Sequence, residues 1–120
     1  MDEMVRSGDG DVDEFVDASI TSFAAWDVAV YLEHNDDVSA DVGELCSRLG
    51  RKESEIDPVL RDFAERGVAR VSSEPDGVVR YSLSSDPHVR EVVSRFVSLA
   101  RVRELRLEFV RRVLAGMSRH

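Results

Sequence analysis

The 120-residue sequence has a single cysteine, Cys46, and no long apolar run. One thiol cannot form an internal disulfide, so a disulfide-stapled scaffold is excluded. No stretch reaches the roughly 18 consecutive apolar residues that a membrane-spanning helix needs. The first residues also lack the basic-then-apolar order of a signal peptide. These absences predict a cytoplasmic, single-domain protein with no membrane partner.

The sequence also lacks the motifs of a catalytic or metal site. It has no glycine-rich phosphate loop, no nucleophile–base set and no spacing of histidines and cysteines that would hold a metal. The histidines, His34, His88 and His120, are far apart in the sequence. We therefore predict neither an enzyme nor a bound cofactor or metal.

Charge is unevenly distributed along the chain, whose formal net charge is −8. Residues 1–17 carry seven acids and one arginine, a net −6, and residues 18–87 carry fourteen acids and seven bases, a net −7. Residues 88–120 carry eight arginines and three acids, a net +5. A nucleic-acid-binding protein ordinarily has a basic surface, so the acidic middle segment counts against that function.

The first segment, residues 1–12, is predicted to be a disordered acidic tail, because it is rich in Gly, Asp and Ser and has little to bury. A more specific alternative is an acidic strip that screens a basic surface until DNA or a partner displaces it. Helix is predicted from an N-cap at Asp13 to about Glu33. Thr21 or Ser22 could cap a fresh start, so one bent helix and two short ones are both open.

The stretch between Val42 and Leu83 predicts two helices that are joined by a tight turn and followed by a hairpin. Asp41 stands three residues before Glu44, which is the spacing of a capping box at a helix start. Gly50 can adopt the left-handed conformation that ends such a helix. A second amphipathic helix follows, with apolar residues at helical spacing: Ile56, Val59, Leu60 and Phe63.

Pro58 leaves two starts open for this second helix. If Lys52 or Glu53 caps the helix, Pro58 lies in the second turn, where it removes a hydrogen bond and bends the helix. If Asp57 caps it, Pro58 occupies the first helical position, which proline favours. The earlier start is preferred because it keeps Ile56 on the apolar stripe.

Two segments after this helix, residues 68–73 and 78–83, are rich in β-branched residues and predict the strands of the hairpin. They flank Glu-Pro-Asp-Gly. In such a turn proline fixes φ and glycine accepts a positive φ. The order helix, turn, helix and hairpin is the outline of a winged helix-turn-helix.

Three segments of this stretch carry a resemblance to known proteins: Leu-Cys-Ser-Arg-Leu-Gly, Val-Leu-Arg-Asp-Phe-Ala-Glu-Arg-Gly-Val-Ala and Tyr-Ser-Leu. They resemble the winged helix-turn-helix of bacterial transcriptional regulators, broadly those of the ArsR and MarR families, over about residues 22–85. The resemblance implies that the second helix enters the major groove of double-stranded DNA and that the hairpin wing touches the flanking backbone. It also implies a short strand at Val38 and Ser39 that joins the wing sheet.

The predicted fold class is therefore mainly α with a small β-hairpin wing, and the winged helix-turn-helix domain is expected over residues 13–85. Some ArsR metal sensors carry two cysteines in a Glu-Leu-Cys-Val-Cys pattern in the first helix of the motif. Here Ser47 and Arg48 follow Glu-Leu-Cys, so the second thiol is absent. Cys46 is accordingly expected to be a small buried thiol rather than a metal ligand.

The candidate DNA contacts are polar and basic side chains of the turn, the second helix and the wing: Arg51, Lys52, Ser54, Arg61, Arg70 and Arg80. Arginine can bind guanine or phosphate through two hydrogen bonds, and serine can bind phosphate. The same helix carries four acids that would repel phosphate: Glu53, Glu55, Asp57 and Asp62. A second hypothesis is therefore a protein-interaction module whose acidic face docks a basic partner and which does not bind DNA.

Residues 86–120 predict one long C-terminal helix that dimerises the protein. Pro87 suits its first turn, and no glycine or proline interrupts it before Gly116. A helix over about residues 87–117 would be about 46 Å long at 1.5 Å per residue, and its apolar residues fall on two faces. One face is the predicted interface of a homodimer: Val102, Leu105, Phe109 and Val113. The alternative is a long helix folded back on its own core.

Overall fold

The computed structural model describes residues 9–118, and within this range the chain forms six helices and one two-stranded antiparallel sheet. The elements are α1 (Gly10–Ser19), α2 (Phe23–His34), α3 (Val42–Leu49), α4 (Glu53–Glu65), β1 (Ala69–Ser73), β2 (Val79–Leu83), α5 (Pro87–Leu99) and α6 (Arg103–Met117). The mainly helical architecture with a small hairpin wing confirms the predicted fold class.

The start of α1 corrects the predicted tail and the predicted domain start. Asp9 caps the helix by accepting hydrogen bonds of 3.1 Å from the Asp11 N–H and 3.2 Å from the Val12 N–H. Val12 is fully buried, so its burial offsets the cost of ordering this turn. A disordered tail over residues 1–12 is therefore wrong for positions 9–12, and Asp13 is not the cap. Residues 1–8 of that predicted tail lie outside the described residues.

Two helices rather than one bent helix precede the helix-turn-helix. Ser22 caps α2 by accepting a 3.1 Å hydrogen bond from the Ala25 N–H, as one of the two alternatives predicted. α2 packs against α4 and α5. Its buried side consists of small and branched residues: Ala25, Val28, Ala29 and Leu32. α2 is therefore the central support under the helix-turn-helix.

The predicted capping box and helix end of α3 are both present. The Glu44 N–H donates a 2.8 Å hydrogen bond to Asp41 Oδ1, and the Asp41 N–H donates one of 3.1 Å to Glu44 Oε1. Gly50 ends α3 in the left-handed conformation, with a φ of +65°. These local signals set the direction in which the chain enters and leaves α3.

The helix α4 begins at Glu53 with Lys52 in the N-cap position, which confirms the earlier of the two predicted starts. Pro58 consequently lies inside the helix. Three residues of the apolar stripe, Ile56, Leu60 and Phe63, are fully buried, and Val59 is half-buried. Since one side of α4 is fastened to the core, the other side faces outward in a defined orientation.

The wing is a short antiparallel ladder in which Ala69 pairs with Leu83 and Ser73 pairs with Val79. Ala40 adds a bridge to Tyr81, with hydrogen bonds of 2.9 and 2.8 Å in the two directions. The predicted short strand at 38–39 is thus a single bridge at position 40. Only the base of the wing is buried, so most of β1 projects into solvent.

The predicted single C-terminal helix over residues 86–120 is wrong for the described conformation. α5 ends at Leu99, and α6 starts after Val102, whose φ of −79° and ψ of 122° are extended. α6 folds back so that the ring of Phe109 lies 5.4 Å from that of Phe96, centroid to centroid. Burial of this ring is the physical reason for the break, because a straight helix could not return Phe109 to the core.

Because of the break, most residues of the predicted dimer interface are wholly or partly buried within their own subunit. Phe109 and Val113 are buried inside their own subunit, and Leu105 is half-buried against the same core. Val102 is 45% exposed. The face that was predicted to meet a second copy therefore packs largely within the chain here, as the folded-back alternative requires.

Four helices each contribute one ring to an aromatic cluster, which consists of Phe15, Trp26, Phe96 and Phe109. Beside it, the Arg112 guanidinium donates hydrogen bonds of 2.9 Å to Asp13 Oδ1 and 2.7 Å to Asp17 Oδ1. Burial lowers the pKa of Arg112, but the hydrogen bonds to Asp17 and Asp13 outweigh it, and the pKa is raised overall. The ionised arginine therefore ties α6 to α1.

Candidate nucleic-acid interface

The outward side of α4 is a ridge of four exposed residues, Ser54, Pro58, Arg61 and Glu65. Their spacing of i, i+4, i+7 and i+11 places them in one line on a helix. The Arg61 side chain is 75% exposed. The structure therefore brings two of the predicted contacts, Ser54 and Arg61, onto the same outward face.

Arg51 has a different position from the one expected of a free DNA contact. Its Nε donates a 2.8 Å hydrogen bond to Asp27 Oδ2 on α2, and its Nη1 donates one of 2.9 Å to Glu55 Oε1. These bonds, the one to Asp27 first, raise the pKa of Arg51 despite an opposing effect of burial. Arg51 is thus held in place between α2 and the first turn of α4.

Glu55, which was predicted to repel phosphate, helps to start α4. It accepts a 3.1 Å hydrogen bond from the Lys52 N–H as well as the bond from Arg51. The Lys52 N–H, followed by Arg51, lowers the pKa of Glu55. Two carboxylates on α4 are likewise engaged in i,i+4 pairs, Asp57 with Arg61 at 2.9 Å and Asp62 with Arg66 at 3.0 Å. Much of the acidity of α4 is therefore balanced within the chain.

Arg80 ties the wing to the helix-turn-helix. Its Nη1 donates a 2.9 Å hydrogen bond to Glu44 Oε1, the oxygen that also accepts from the Asp41 N–H in the capping box. The Arg80 side chain is about one-third exposed. This predicted DNA contact therefore has a structural role that the sequence pattern did not indicate.

Lys52 and Arg70 are exposed, and in the described part of the chain neither has an ion pair. The same holds for Arg48 at the end of α3, which sequence reasoning omitted although it immediately precedes the turn. Exposed acids without an ion pair are also present on this side, among them Glu53 and Glu65. The surface is therefore of mixed charge, with several cations free to meet phosphate.

A cavity of about 440 Å³ lies beside α4, between the start of α2 and the end of α6. Phe23, Val59 and Met117 line its apolar part, and Arg66 and Asp62 stand at its polar side.

Within residues 9–118, no group of three or more His, Cys, Asp or Glu side chains could hold a metal ion. Burial, followed by the charges of Glu53 and Glu55, raises the pKa of the Cys46 thiol.

The described helices include none that is long and apolar enough to span a bilayer. α2, α3 and α4 followed by the β1–β2 hairpin define the chain as a winged helix-turn-helix protein.

The following two are among the solved structures that share this fold. HlyU from Vibrio cholerae has a TM-score of 0.56 and 24% sequence identity, with 76% of this chain and 90% of that chain covered. A possible transcriptional regulator from Methanosarcina mazei has a TM-score of 0.56 and 18% identity, with 78% and 79% covered. No protein-family model and no curated protein matches the sequence.

Proposed function

We propose that this protein is a DNA-binding transcriptional regulator that acts in the cytoplasm and has no enzymatic activity. α4 enters the major groove of double-stranded DNA, and the wing contacts the backbone on one side. The observation that carries this proposal is the outward ridge of α4, which is polar, exposed and held in one orientation by the buried opposite side. The similar Methanosarcina mazei protein, a possible transcriptional regulator, supports the same class.

The proposed contacts differ in how they act. Lys52, Ser54 and Arg61 meet the groove and its phosphates from α4, and Arg70 meets the backbone from β1. Arg61 is exposed, and within residues 9–118 it is paired with its neighbour Asp57 alone. An exposed i,i+4 pair contributes about 0.3–0.5 kcal/mol, so a phosphate can readily replace this carboxylate. Arg51 and Arg80 reach the DNA side as well, and they also fix the geometry of the turn and the wing.

A homodimer is the proposed assembly, because helix-turn-helix proteins commonly read two half-sites through two-fold symmetry. Exposed apolar residues support a second copy near the C-terminal helices. Of the seven large apolar side chains that are exposed in the described part, four lie in or next to α6: Val102, Leu107, Leu114 and Met117. Leu107, Leu114 and Met117 stand at i, i+7 and i+10, on one side of α6, and an exposed apolar patch of this kind is typical of an interaction surface.

The proposal is tested by a gel-shift assay with DNA from upstream of the protein's own gene, at two salt concentrations. Arg61→Ala should weaken binding and reduce the slope of log affinity against log salt by about one, because one phosphate contact is lost. Arg106→Ala is the matched control, since Arg106 is exposed on α6 and its loss changes the net charge equally. Equal slopes for both variants and the parent would contradict the assignment of Arg61, and no shift at micromolar protein would contradict DNA binding.

Acids that form no ion pair in the described part of the chain favour one second candidate, a module that docks a basic protein. Glu53 and Glu65 are exposed on α4, and Glu74 and Asp76 are exposed at the tip of the wing. Glu53→Gln together with Glu65→Gln avoids Glu55, whose replacement would disturb the helix start. Tighter non-specific DNA binding by this double variant supports the DNA-binding proposal, whereas an unchanged absence of DNA binding favours the protein partner.

A further inference from the structure

The link between α5 and α6 contains neither glycine nor proline. It consists of Ala100, Arg101 and Val102, all of which a helix accepts. Ala100 is already helical, with a φ of −68° and a ψ of −9°. Val102 is extended, with a ψ of 122°. A rotation centred on Val102 would therefore convert residues 87–117 into one continuous helix.

The start of α6 is locally unfavourable. Val102 occupies the N-cap position and offers no side-chain hydrogen bond, and valine is among the poorest residues there. Arg103 lies in the first turn, where the positive end of the helix dipole disfavours a cation. In a continuous helix both residues would lie in the interior, where neither penalty applies. Local preference therefore favours the straight form.

Tertiary packing opposes that preference. Phe109 is fully buried, and its ring lies 5.4 Å from that of Phe96. In a straight helix these two residues would be separated by about 20 Å along the axis. Straightening would therefore withdraw Phe109 and Val113 from the core and open a large apolar surface on α1, α2 and α5. Only an equivalent α6 can cover that surface with the same contacts.

We propose that two copies of this chain exchange α6. Each copy then has one continuous helix over about residues 87–117, and its Phe109 and Val113 occupy the core of the other copy. Arg112 pairs with the partner's Asp13 and the partner's Asp17, as it does within one chain here. This inference rests on the homodimer of the proposed function.

Exposed apolar residues near the link support a second copy of this chain as the molecule that supplies the exchanged α6. Exchange brings the two links together at the two-fold axis. Val102 is 45% exposed and Leu107 is 50% exposed in the folded-back form. Exchange recovers the contacts of α6 with α1, α2 and α5 between the two chains, and covering Val102 and Leu107 near the axis would add new burial.

The test compares Arg103→Pro with Arg103→Ala by analytical ultracentrifugation of the full chain. Proline is favoured at the first position of a helix, and the extended Val102 before it is the conformation that a following proline requires. In the described backbone the Arg103 N–H donates no hydrogen bond. Proline is therefore compatible with the folded-back form, while it would break a continuous helix. Alanine removes the same charge and permits both forms.

Exchange predicts that the parent and Arg103→Ala are dimers, and that Arg103→Pro is a folded monomer with dimer affinity reduced by more than about a hundredfold. If the parent and both variants are dimers, exchange is refuted and the homodimer stands. If the parent is a monomer, both are refuted. Equal loss of the dimer in both variants also refutes exchange, because helix continuity would then not be the cause.

A distance measurement gives a second, independent readout. Spin labels are placed at the exposed positions Glu91 and Ala115 in a Cys46→Ser background, and labelled chains are diluted with unlabelled ones so that only distances within a chain contribute. A continuous helix predicts a separation of about 36 Å along its axis. A single short distance, typical of the folded-back form, in a sample shown to be dimeric would refute the exchange.

Discussion

Phe109 is the residue whose replacement tests the packing of α6 most directly. Its ring lies 5.4 Å from that of Phe96 on α5 and 6.2 Å from that of Trp26 on α2, centroid to centroid. The Arg112 guanidinium also lies over the ring, 5.9 Å from its centroid. Phe109→Ala therefore removes the group that joins α6 to the two helices beneath it.

The magnitude follows from complete burial. A buried Phe→Ala change loses transfer free energy and leaves a cavity, and together these cost about 3–5 kcal/mol. Domains have a free energy of unfolding of about 5–15 kcal/mol, so the change removes a large share of the stability. The melting temperature should fall on the order of 10–20 °C. Arg106→Ala is the matched control on the same helix, since Arg106 is exposed and its loss should cost about 0.5 kcal/mol or less.

Urea unfolding followed by far-UV circular dichroism measures both variants against the parent. All samples are compared at one protein concentration, because association would make the midpoint depend on concentration. The expected order is parent, then Arg106→Ala close to it, then Phe109→Ala far below. Equal midpoints for the two variants would refute the burial of Phe109 and with it the folded-back or exchanged position of α6.

Three further predictions concern other parts of the chain. Glu55→Gln should lower the melting temperature at pH 7, because a carboxylate with a lowered pKa stabilises the fold at pH values above the ordinary pKa of glutamate. The difference in melting temperature from the parent should vanish as the pH falls through the lowered pKa of Glu55, and a difference that grows instead would contradict this prediction. Cys46, whose pKa is raised chiefly by burial, should react with iodoacetamide at pH 8 more slowly than in urea, and equal rates would refute this. Deleting residues 1–12 should lower the melting temperature, because the deletion removes the Asp9 cap and the buried Val12; an unchanged value would show that this turn is not packed.

The parts of the fold that could be predicted from the sequence depend on local chemistry. The capping box of Asp41 and Glu44 and the left-handed Gly50 each involve residues within a few positions of one another. The break after α5 could not be predicted in this way. Its cause is the burial of Phe109 against Trp26, which is far away in the sequence, while the residues of the link are themselves compatible with a helix.

In the candidate site, too, the features that depend on nearby residues could be predicted from the sequence, and those that depend on distant residues could not. The exposure of Ser54 and Arg61 follows from the apolar stripe of α4, because those residues fall opposite it on a helical wheel. The partner of Arg51 is Asp27, 24 positions away, and the partner of Arg80 is Glu44, 36 positions away. Charge counts along a sequence contain no information about such distant pairs. The acidic net charge of the middle segment therefore led to an overestimate of the repulsion between α4 and phosphate.

One oxygen, Oε1 of Glu44, accepts hydrogen bonds from both the start of α3 and Arg80 of the wing. The base of the wing is therefore held in a fixed position relative to the start of α3. In the proposed complex with DNA, the distance between the groove contact of α4 and the backbone contact of the wing would then be set by the protein before it meets the duplex. Lengthening the turn at Pro75 and Gly77 would change the length of the wing, while the base of the wing would remain bonded to Glu44 through Arg80.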